Sequence, residues 1–172
     1  QQMSTRIDEL LELARGETGQ LKLELVEINL RALLLESANS LAPEAKRLTH
    51  RLQIDVPARL PSIVADGKRV KQVVCNLLIN AMKFTPPGGH VCLRAHQEAQ
   101  EIIIEVQDDG PGINEAEQKK LFQSYYRIAP DRSRVGGLGL GLALSKTLID
   151  LHQGRIWVDS REGSGSTFAF AL

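Results

Sequence analysis

The sequence has few of the residues that mark nucleic acid-binding proteins. Its 172 residues include only one Trp, two Tyr and four Phe, which leaves little with which to stack bases. Lys and Arg together number 21, as do Asp and Glu, so the formal charge is zero. A chain without net positive charge has no general field that attracts a polyanion. We therefore expect no nucleic acid partner.

Cysteine and long apolar runs are also scarce. The two cysteines, Cys75 and Cys92, lie in apolar stretches without C-x-x-C spacing, which predicts buried thiols in a reducing compartment and no disulfide or zinc site. No apolar run reaches the roughly 18–20 residues that a membrane-spanning helix needs, and no signal peptide pattern is visible. We expect a cytoplasmic fragment that makes no membrane contact, although its parent protein could be membrane-anchored.

The first 18 residues differ in pattern from the rest of the chain. Met3, Ile7, Leu10 and Ala14 form a heptad-like apolar line, which predicts a helix whose single seam packs against a partner helix. Gly16 and Gly19 are typical helix stops. The sequence begins within this helical pattern, so we expect it to be part of a longer protein. Residues 19–172 are long enough for one domain with its own core.

The remaining pattern predicts strands and helices in alternation. Leu21–Val26 is predicted to form a half-buried strand, and Asn29 to cap a helix in which Pro43 makes a break or bend. Arg51–Val56 is predicted to form a second strand, and Asp66 to cap the next helix. Further strands are predicted at residues 90–96, 101–107, 155–160 and 166–172, a short helix capped by Asn114 and Glu117 to about residue 123, a long loop at 124–135, and a helix that ends at His152.

The helix at residues 70–84 has a polar face that is unusual for a solvated surface. Gln72, Asn76, Asn80 and Lys83 fall together when the residues are spaced at 100°, and Asn is a poor helix former. This face is either ordinary surface or a polar wall that offers amide oxygens to a hard cation and a Lys to an anion. Two amides are too few to hold Mg²⁺ alone, so a phosphate-bearing ligand would have to complete its coordination.

Two glycine-rich stretches follow. Asp108-Asp109-Gly110-Pro111-Gly112 comes directly after a predicted strand, where it is either a plain turn or a place where a carboxylate meets the amino group of a flat ring ligand. In the second stretch, Gly137, Gly139 and Gly141 precede a helix, an arrangement that lets backbone N–H groups bind phosphate. A polar loop, and not a strand, precedes these glycines, which argues against a Rossmann dinucleotide motif.

Taken in order, these stretches resemble the nucleotide-binding domain of sensor histidine kinases, within the wider family shared with gyrase, the mismatch-repair ATPases and a heat-shock chaperone. Residues 76–85 resemble the N box of that family, 108–112 its G1 box, 121–127 its F box and 137–142 its G2 box. Residues 152–158 and 163–168 are also similar to the family pattern. Small departures are Leu138 where Thr is frequent, Asp109 where Asn is frequent, and Gln153 in place of a Gly.

The resemblance implies a role for each motif. Asp108 would bind the adenine amino group with Gly112 near the ring, and Asn80 would hold Mg²⁺ with Asn76 beside it. Lys83 and Arg127 would face phosphate oxygens, and the glycines of the second stretch would cover the triphosphate. Asn76 and Arg127 are the implied catalytic residues. The implied nucleotide-binding residues are Asn76, Asn80, Lys83, Phe84, Asp108, Gly110, Gly112, Ile113, Tyr126, Arg127, Gly137, Leu138, Gly139, Leu140, Gly141, Leu142 and Thr167.

The resemblance also implies a fold and an activity. The fold would be α/β, a two-layer sandwich of the Bergerat ATP-binding type with a mixed sheet of about five strands and helices on one face. Residues 1–18 would be the C-terminal part of a dimerisation helix, and residues 19–172 the ATP-binding catalytic domain. The domain would donate the γ-phosphoryl group of Mg-ATP to a histidine on the phosphoacceptor helix of a homodimeric parent kinase, from which a response regulator would receive it.

The four histidines of the chain do not match a phosphoacceptor context. His50, His90, His96 and His152 are therefore predicted to be structural or solvated, so the acceptor histidine would lie outside this chain. Two other functions remain open at this point. One is a protein-serine kinase of the anti-sigma type, which uses the same nucleotide fold. The other is a catalytically silent module that senses nucleotide or docks a partner.

Overall fold

The computed structural model describes residues 10–16, 18–126 and 139–172. The strands are β1 (Val26–Ile28), β2 (Arg51–Asp55), β3 (Ile63–Ala65), β4 (His90–Glu98), β5 (Glu101–Asp108), β6 (Arg155–Ser160) and β7 (Ser166–Ala171). The helices are α1 (residues 10–16), α2 (Leu30–Arg47), α3 (Gly67–Phe84), α4 (Glu115–Gln118) and α5 (Gly141–Leu151).

Five strands form one mixed sheet in the order β2-β4-β5-β7-β6. The outer pair β2 and β4 is parallel, and the other neighbours are antiparallel. The chain passes from β2 to its parallel neighbour β4 through α3, because parallel strands need a crossover connection. The two short strands β1 and β3 pair separately as an antiparallel ribbon. The predicted mixed sheet of about five strands is confirmed.

The core lies between one face of this sheet and the layer of α2, α3 and α5. Ile104 and Val106 of β5 and Phe170 of β7 are fully buried on the inner face, and Val70 and Leu77 of α3 are fully buried opposite them. Alternate strand residues point to opposite faces, and the buried residues of α3 recur at helical spacing. The two-layer α/β sandwich predicted from the sequence is therefore confirmed.

Side-chain caps begin three of the helices as predicted. The Asn29 side chain accepts a hydrogen bond from the Ala32 N–H, and Asp66 accepts one from Arg69 N–H. Asn114 accepts from the Glu117 N–H, while its own amide donates to the Glu117 carboxylate. Each cap satisfies a backbone donor that the first helical turn leaves without a partner.

One local prediction was wrong, and the break predicted as one alternative at Pro43 is absent. The strand predicted at Leu21–Val26 begins only at Val26, because the Glu24 N–H donates to the Asp66 carboxylate and not to a neighbouring strand. Pro43 does not break α2, which continues to Arg47. Pro43 lies on the exposed side, and burial of residues such as Leu34 and Ala38 on the other side stabilises the helix against the loss of one backbone hydrogen bond.

Other differences concern the ends and number of elements. The short strand β3 was not predicted, and α4 ends at Gln118 rather than near residue 123. Of the predicted loop 124–135, only residues 124–126 are described, and they are neither helix nor strand. Among the described residues, no helix is both long and apolar enough to cross a bilayer.

The described part of the N-terminal segment packs against the domain. Leu13 is 4% exposed and belongs to the core, and a Cβ at Gly16 would overlap the Thr147 side chain of α5. The Glu12 carboxylate accepts hydrogen bonds from Arg69 and Gln72 of α3. These bonds outweigh the opposing effect of burial and lower the pKa of Glu12. The boundary between residues 18 and 19 stays a prediction.

Candidate functional site

The polar face of α3 lies against the beginning of α5. Asn76, Asn80 and Lys83 are half-buried on this face. The Asn76 amide nitrogen Nδ2 donates to the Ser145 hydroxyl oxygen at 2.9 Å, and a Cβ at Gly141 would overlap Asn76 Oδ1. The Asn76 side chain thus contacts the first two turns of α5, which brings the amide face of α3 against Gly141 of the second glycine-rich stretch.

The N-terminus of α5 differs from those of the other long helices. Its N-cap residue is Leu140, which makes no side-chain capping hydrogen bond, whereas Asn29 and Asp66 cap α2 and α3. The first backbone N–H groups of a helix have no partner within the helix, and the helix dipole places partial positive charge there. Such an end binds phosphate groups well.

Asp108 is the last residue of β5 and is 5% exposed. Burial raises the pKa of its carboxyl group to about 6, although hydrogen bonds from the backbone N–H groups of Gly110 and Ser166 act in the opposite direction. The Gly110 N–H donates to Oδ1 at 2.8 Å. A carboxylate in such shielded surroundings forms stronger hydrogen bonds to a ligand donor than an exposed one does.

The turn at residues 108–112 interlocks with the turn between β6 and β7. Gly112 has a φ of +70°, and a Cβ there would overlap the backbone carbonyl of Arg161. The Gly163 N–H donates to the Pro111 carbonyl at 2.6 Å. The missing side chain of Gly112 thus permits both its positive φ and its close approach to the Arg161 backbone. The position of Gly112 near a ring ligand stays a prediction.

Contacts connect the Asp108 turn, the polar face of α3, the start of α5 and the end of the described F box. We call these connected segments the perimeter of the candidate site. A Cβ at Gly110 would lie 3.3 Å from the Phe84 carbonyl at the end of α3, so the Asp108 turn adjoins that helix end. Asn80 lies one turn from Phe84 and one turn from Asn76, which contacts α5. The Tyr125 N–H donates to the Gly139 carbonyl at 3.2 Å, which joins the end of the F box to the G2 box. The structure therefore brings the predicted motifs together.

Several other predicted site residues line or support this perimeter. Leu140 is 1% exposed and belongs to the core, while Ile113, Tyr126 and Leu142 are partly buried against it. Phe84 is 39% exposed, and the Lys83 ammonium lies 4.9 Å from the centre of its ring. Arg127, Gly137 and Leu138 lie outside the described residues.

Thr167 is not placed beside Asp108. In the pairing of β5 with β7, Asp108 lies opposite Ser166, and Thr167 lies opposite Gln107. Because successive side chains of a strand point to opposite faces, Thr167 points away from the face that carries Asp108. Ser166 is buried and shares a 2.9 Å hydrogen bond with Ser160. Sequence reasoning missed Ser166, which the two-residue period from the core residue Phe168 could have identified.

The rings of two histidines lie within hydrogen-bonding distance of backbone groups. The His50 ring nitrogen Nε2 lies 3.1 Å from the Thr85 carbonyl. The His152 ring accepts from the Asp66 N–H at Nε2 and lies 2.7 Å from the Leu148 carbonyl at Nδ1. These contacts give His50 and His152 structural roles and agree with the prediction made for them.

The departures Asp109 and Gln153 also have structural partners. The Asp109 carboxylate accepts from the His90 N–H at 2.9 Å. Gln153 has a φ of +61° and follows α5, where its N–H donates to the Asp150 carbonyl. This is the left-handed position after a helix at which Gly is favoured.

Residues 65–172 match the model of the family described as histidine kinase-, DNA gyrase B-, and HSP90-like ATPase. The adaptive-response sensory kinase SasA of Thermosynechococcus vestitus is 40% identical over 173 residues, which cover 100% of this chain and 45% of that protein. The chain thus spans less than half the length of such relatives.

Solved structures of histidine kinases share the fold. Full-length ShkA in complex with AMPPNP superposes with a TM-score of 0.89 at 28% identity, over 99% of this chain and 35% of that one. The histidine kinase ThkA in complex with the response regulator protein TrrA superposes with a TM-score of 0.80 at 25% identity, over 99% of this chain and 47% of that one.

Proposed function

The chain belongs to the family of histidine kinase-, DNA gyrase B- and HSP90-like ATPases, and from this membership we propose how its site binds Mg-ATP and transfers the γ-phosphoryl group. The chain is an ATP-binding catalytic domain of the histidine kinase type. In the proposal, the acceptor is a histidine on a helix of the longer parent protein. The comparisons give no support to a serine kinase or to a silent docking module.

One observation carries the proposed site. Contacts link the buried Asp108 carboxylate, the amide face of α3 and the uncapped N-terminus of α5 around a single perimeter. An adenine nucleotide is complementary to these groups, because its ring carries an amino donor for a carboxylate and its other end carries phosphates for a helix N-terminus. Asp108 would accept from the adenine amino group, and Ser166 across the strand pair would lie beside it. Gly110, Gly112 and Ile113 would border the ring.

The residues present fit a magnesium ion held jointly with the nucleotide. Asn76 and Asn80 offer amide oxygens from one face of α3, and such neutral oxygen donors suit Mg²⁺. No group of three His, Cys, Asp or Glu side chains that could hold a metal occurs in the described part of the chain. Asn80 would bind the ion through its amide oxygen while phosphate oxygens and water complete its shell, and the ion would neutralise phosphate charge.

The phosphates would lie at the start of α5. The uncapped N–H groups that follow Leu140 would donate to phosphate oxygens, and Lys83 would add a positive charge from α3. Arg127 would stabilise charge on the transferred group, as the F-box resemblance implies. Phosphoryl transfer depends mainly on such positioning and charge stabilisation. The glycines at 137, 139 and 141 and the adjoining Leu138 and Leu142 would cover the triphosphate.

The partners follow from the same proposal. A solved histidine kinase similar to this chain has been captured with a response regulator protein. We accordingly assign this chain to a two-component system, in which residues 1–18 belong to the dimerisation helix of a homodimeric kinase. Its phosphohistidine would pass the phosphoryl group to an aspartate of a response regulator in the cytoplasm.

Two measurements test this function. Calorimetry with a non-hydrolysable ATP analogue should show binding that strengthens when Mg²⁺ replaces EDTA. Incubation of the chain and labelled ATP with a helical fragment that carries the acceptor histidine should yield an acid-labile phosphate on that fragment. An acid-stable phosphate would instead indicate a serine kinase. Absence of binding with and without metal would contradict the nucleotide site itself.

A further inference from the structure

We propose that Ser145 is a positioning residue of the nucleotide site, whose hydroxyl oxygen holds the Asn76 amide with its Oδ1 atom directed toward the first turn of α5. Ser145 belongs to none of the sequence motifs that identified the site. The proposal deepens the proposed function, and it rests on that function where it assigns Asn76 to the Mg-ATP site.

The environment of Ser145 sets it apart from other helix hydroxyls. It is 2% exposed, on the second turn of α5. Serine and threonine side chains in helices often donate to the carbonyl four residues earlier, as the buried Ser37 does to Leu33 and the half-buried Thr147 does to Ala143. The contact of Ser145 instead crosses to α3 and accepts from Asn76 Nδ2 at 2.9 Å.

The two ends of the Asn76 amide meet different surroundings. Its nitrogen end faces Ser145, and its oxygen end faces Gly141, where a Cβ would overlap Oδ1. A serine hydroxyl can accept or donate, so Ser145 alone would tolerate either orientation of the amide. The partial positive charge at the N-terminus of α5 favours the oxygen at the Gly141 end. The Ser145 hydroxyl oxygen then accepts a hydrogen bond from the nitrogen end of the amide and holds it in place.

Gly141 and Ser145 therefore form one seat for the Asn76 amide. They lie four residues apart, so both are on the same face of α5. A side chain at position 141 would overlap Asn76, so this seat alone accounts for a glycine there, whether or not the glycine also binds phosphate. It also ties α3 to the phosphate-binding end of α5, which sets the position of Asn80, one turn further along α3, relative to that end. Such pre-positioning reduces the ordering that is needed when Mg-ATP binds.

The substitution Ser145→Ala tests the seat because it removes the acceptor and leaves the methylene group. Side-chain amide resonances of the ¹⁵N-labelled chain report the Asn76 orientation directly, and the Asn76 signal is assigned by its loss in Asn76→Ala. We expect Ser145→Ala to shift this signal in the absence of nucleotide. We also expect the affinity for an ATP analogue with Mg²⁺ to fall by about two- to tenfold, and the affinity in EDTA to fall less.

Two further variants separate the hydrogen bond from packing. Ser145→Cys fills nearly the same space but offers a weak sulfur acceptor, so it should reproduce most of the loss seen with Ser145→Ala. Ser37→Ala is the matched control, because it also removes a fully buried helix hydroxyl, and it should leave the Asn76 signal and the metal-dependent affinity unchanged.

The proposal is overturned if Ser145→Ala leaves the Asn76 signal in place, or if Ser145→Cys behaves like the native chain while Ser145→Ala does not. The second result would indicate a packing role. The signal is measured without nucleotide, so it tests the seat even if the native chain fails to bind the analogue. That failure would contradict the proposed function separately.

Discussion

Replacement of Asp108 by Asn should stabilise the free domain at neutral pH and weaken ATP binding. Burial raises the pKa of Asp108 from 3.8 to about 6, so folding disfavours its charged form. Each pKa unit corresponds to 1.36 kcal/mol, and the difference of about 2 amounts to roughly 3 kcal/mol at pH 7. Asn is neutral and keeps one acceptor oxygen, whereas both the Gly110 and the Ser166 N–H groups donate to the native carboxylate, so Asp108→Asn should recover at most about 3 kcal/mol of unfolding free energy.

The sign of this effect fixes its pH dependence. A carboxyl group whose folded pKa is raised contributes stability that is fully present below its unfolded pKa of 3.8 and is lost as the pH rises from there through about 6. The variant has no such titration. The advantage of Asp108→Asn over the native chain should therefore be small at pH 4, just above the unfolded pKa of 3.8, and should grow to nearly its full value by about pH 7.

Urea unfolding of both proteins between pH 4 and pH 8 measures this difference, and other titrating groups cancel in the comparison. Asp109→Asn, at the neighbouring exposed carboxylate, controls for a general effect of removing charge from the turn. A stability difference that is constant with pH would refute the reasoning.

The same variant should bind nucleotide more weakly. Loss of a hydrogen bond to a charged acceptor costs about 1.5–3 kcal/mol, which corresponds to roughly 10–150-fold in affinity. The affinity of the native chain should decline relative to that of the variant as the pH falls through about 6, because protonated Asp108 is a weaker acceptor. Calorimetry across this range checks the result, and unchanged affinity in Asp108→Asn would mean that adenine binds elsewhere.

Three further variants test other parts of the account. Asn80→Ala should lower the affinity for an ATP analogue more with Mg²⁺ than with EDTA, and equal losses in calorimetry would indicate a structural Asn. Gln153→Gly should raise the unfolding free energy by about 1 kcal/mol, because its φ of +61° is strained for a side chain; no gain in urea unfolding would contradict this. Gly112→Ala should destabilise by about 3 kcal/mol or more, since a Cβ there overlaps backbone. Its control is Gly163→Ala, whose Cβ meets nothing within 4 Å, and equal losses of the two variants in urea unfolding would show that the overlap is unimportant.

Features that depend on neighbouring residues were predictable from the sequence. The caps at Asn29, Asp66 and Asn114 act within one helical turn, and the two faces of α3 follow from residue spacing alone. The site motifs were found because each is a short continuous stretch. The contact between Asn76 and α5 was not predicted, since it depends on how two helices pack.

Features that depend on distant pairing were not predictable in the same way. The strand at Ile63–Ala65 has three residues and exists because it pairs with β1. The two-residue period places Ser166 on the face of Phe168, but its position opposite Asp108 depends on the register of the whole sheet. Likewise, the helical pattern of the first residues could not reveal that Leu13 would be buried in the core.

The most direct test of the central claim is a crystal structure of this chain with a non-hydrolysable ATP analogue and Mg²⁺. We expect the adenine amino group to lie within hydrogen-bonding distance of the Asp108 carboxylate. We also expect the metal to contact Asn80 Oδ1 and phosphate oxygens to accept from the first N–H groups of α5. A bound nucleotide that leaves Asp108 and Asn80 without contact would contradict the claim.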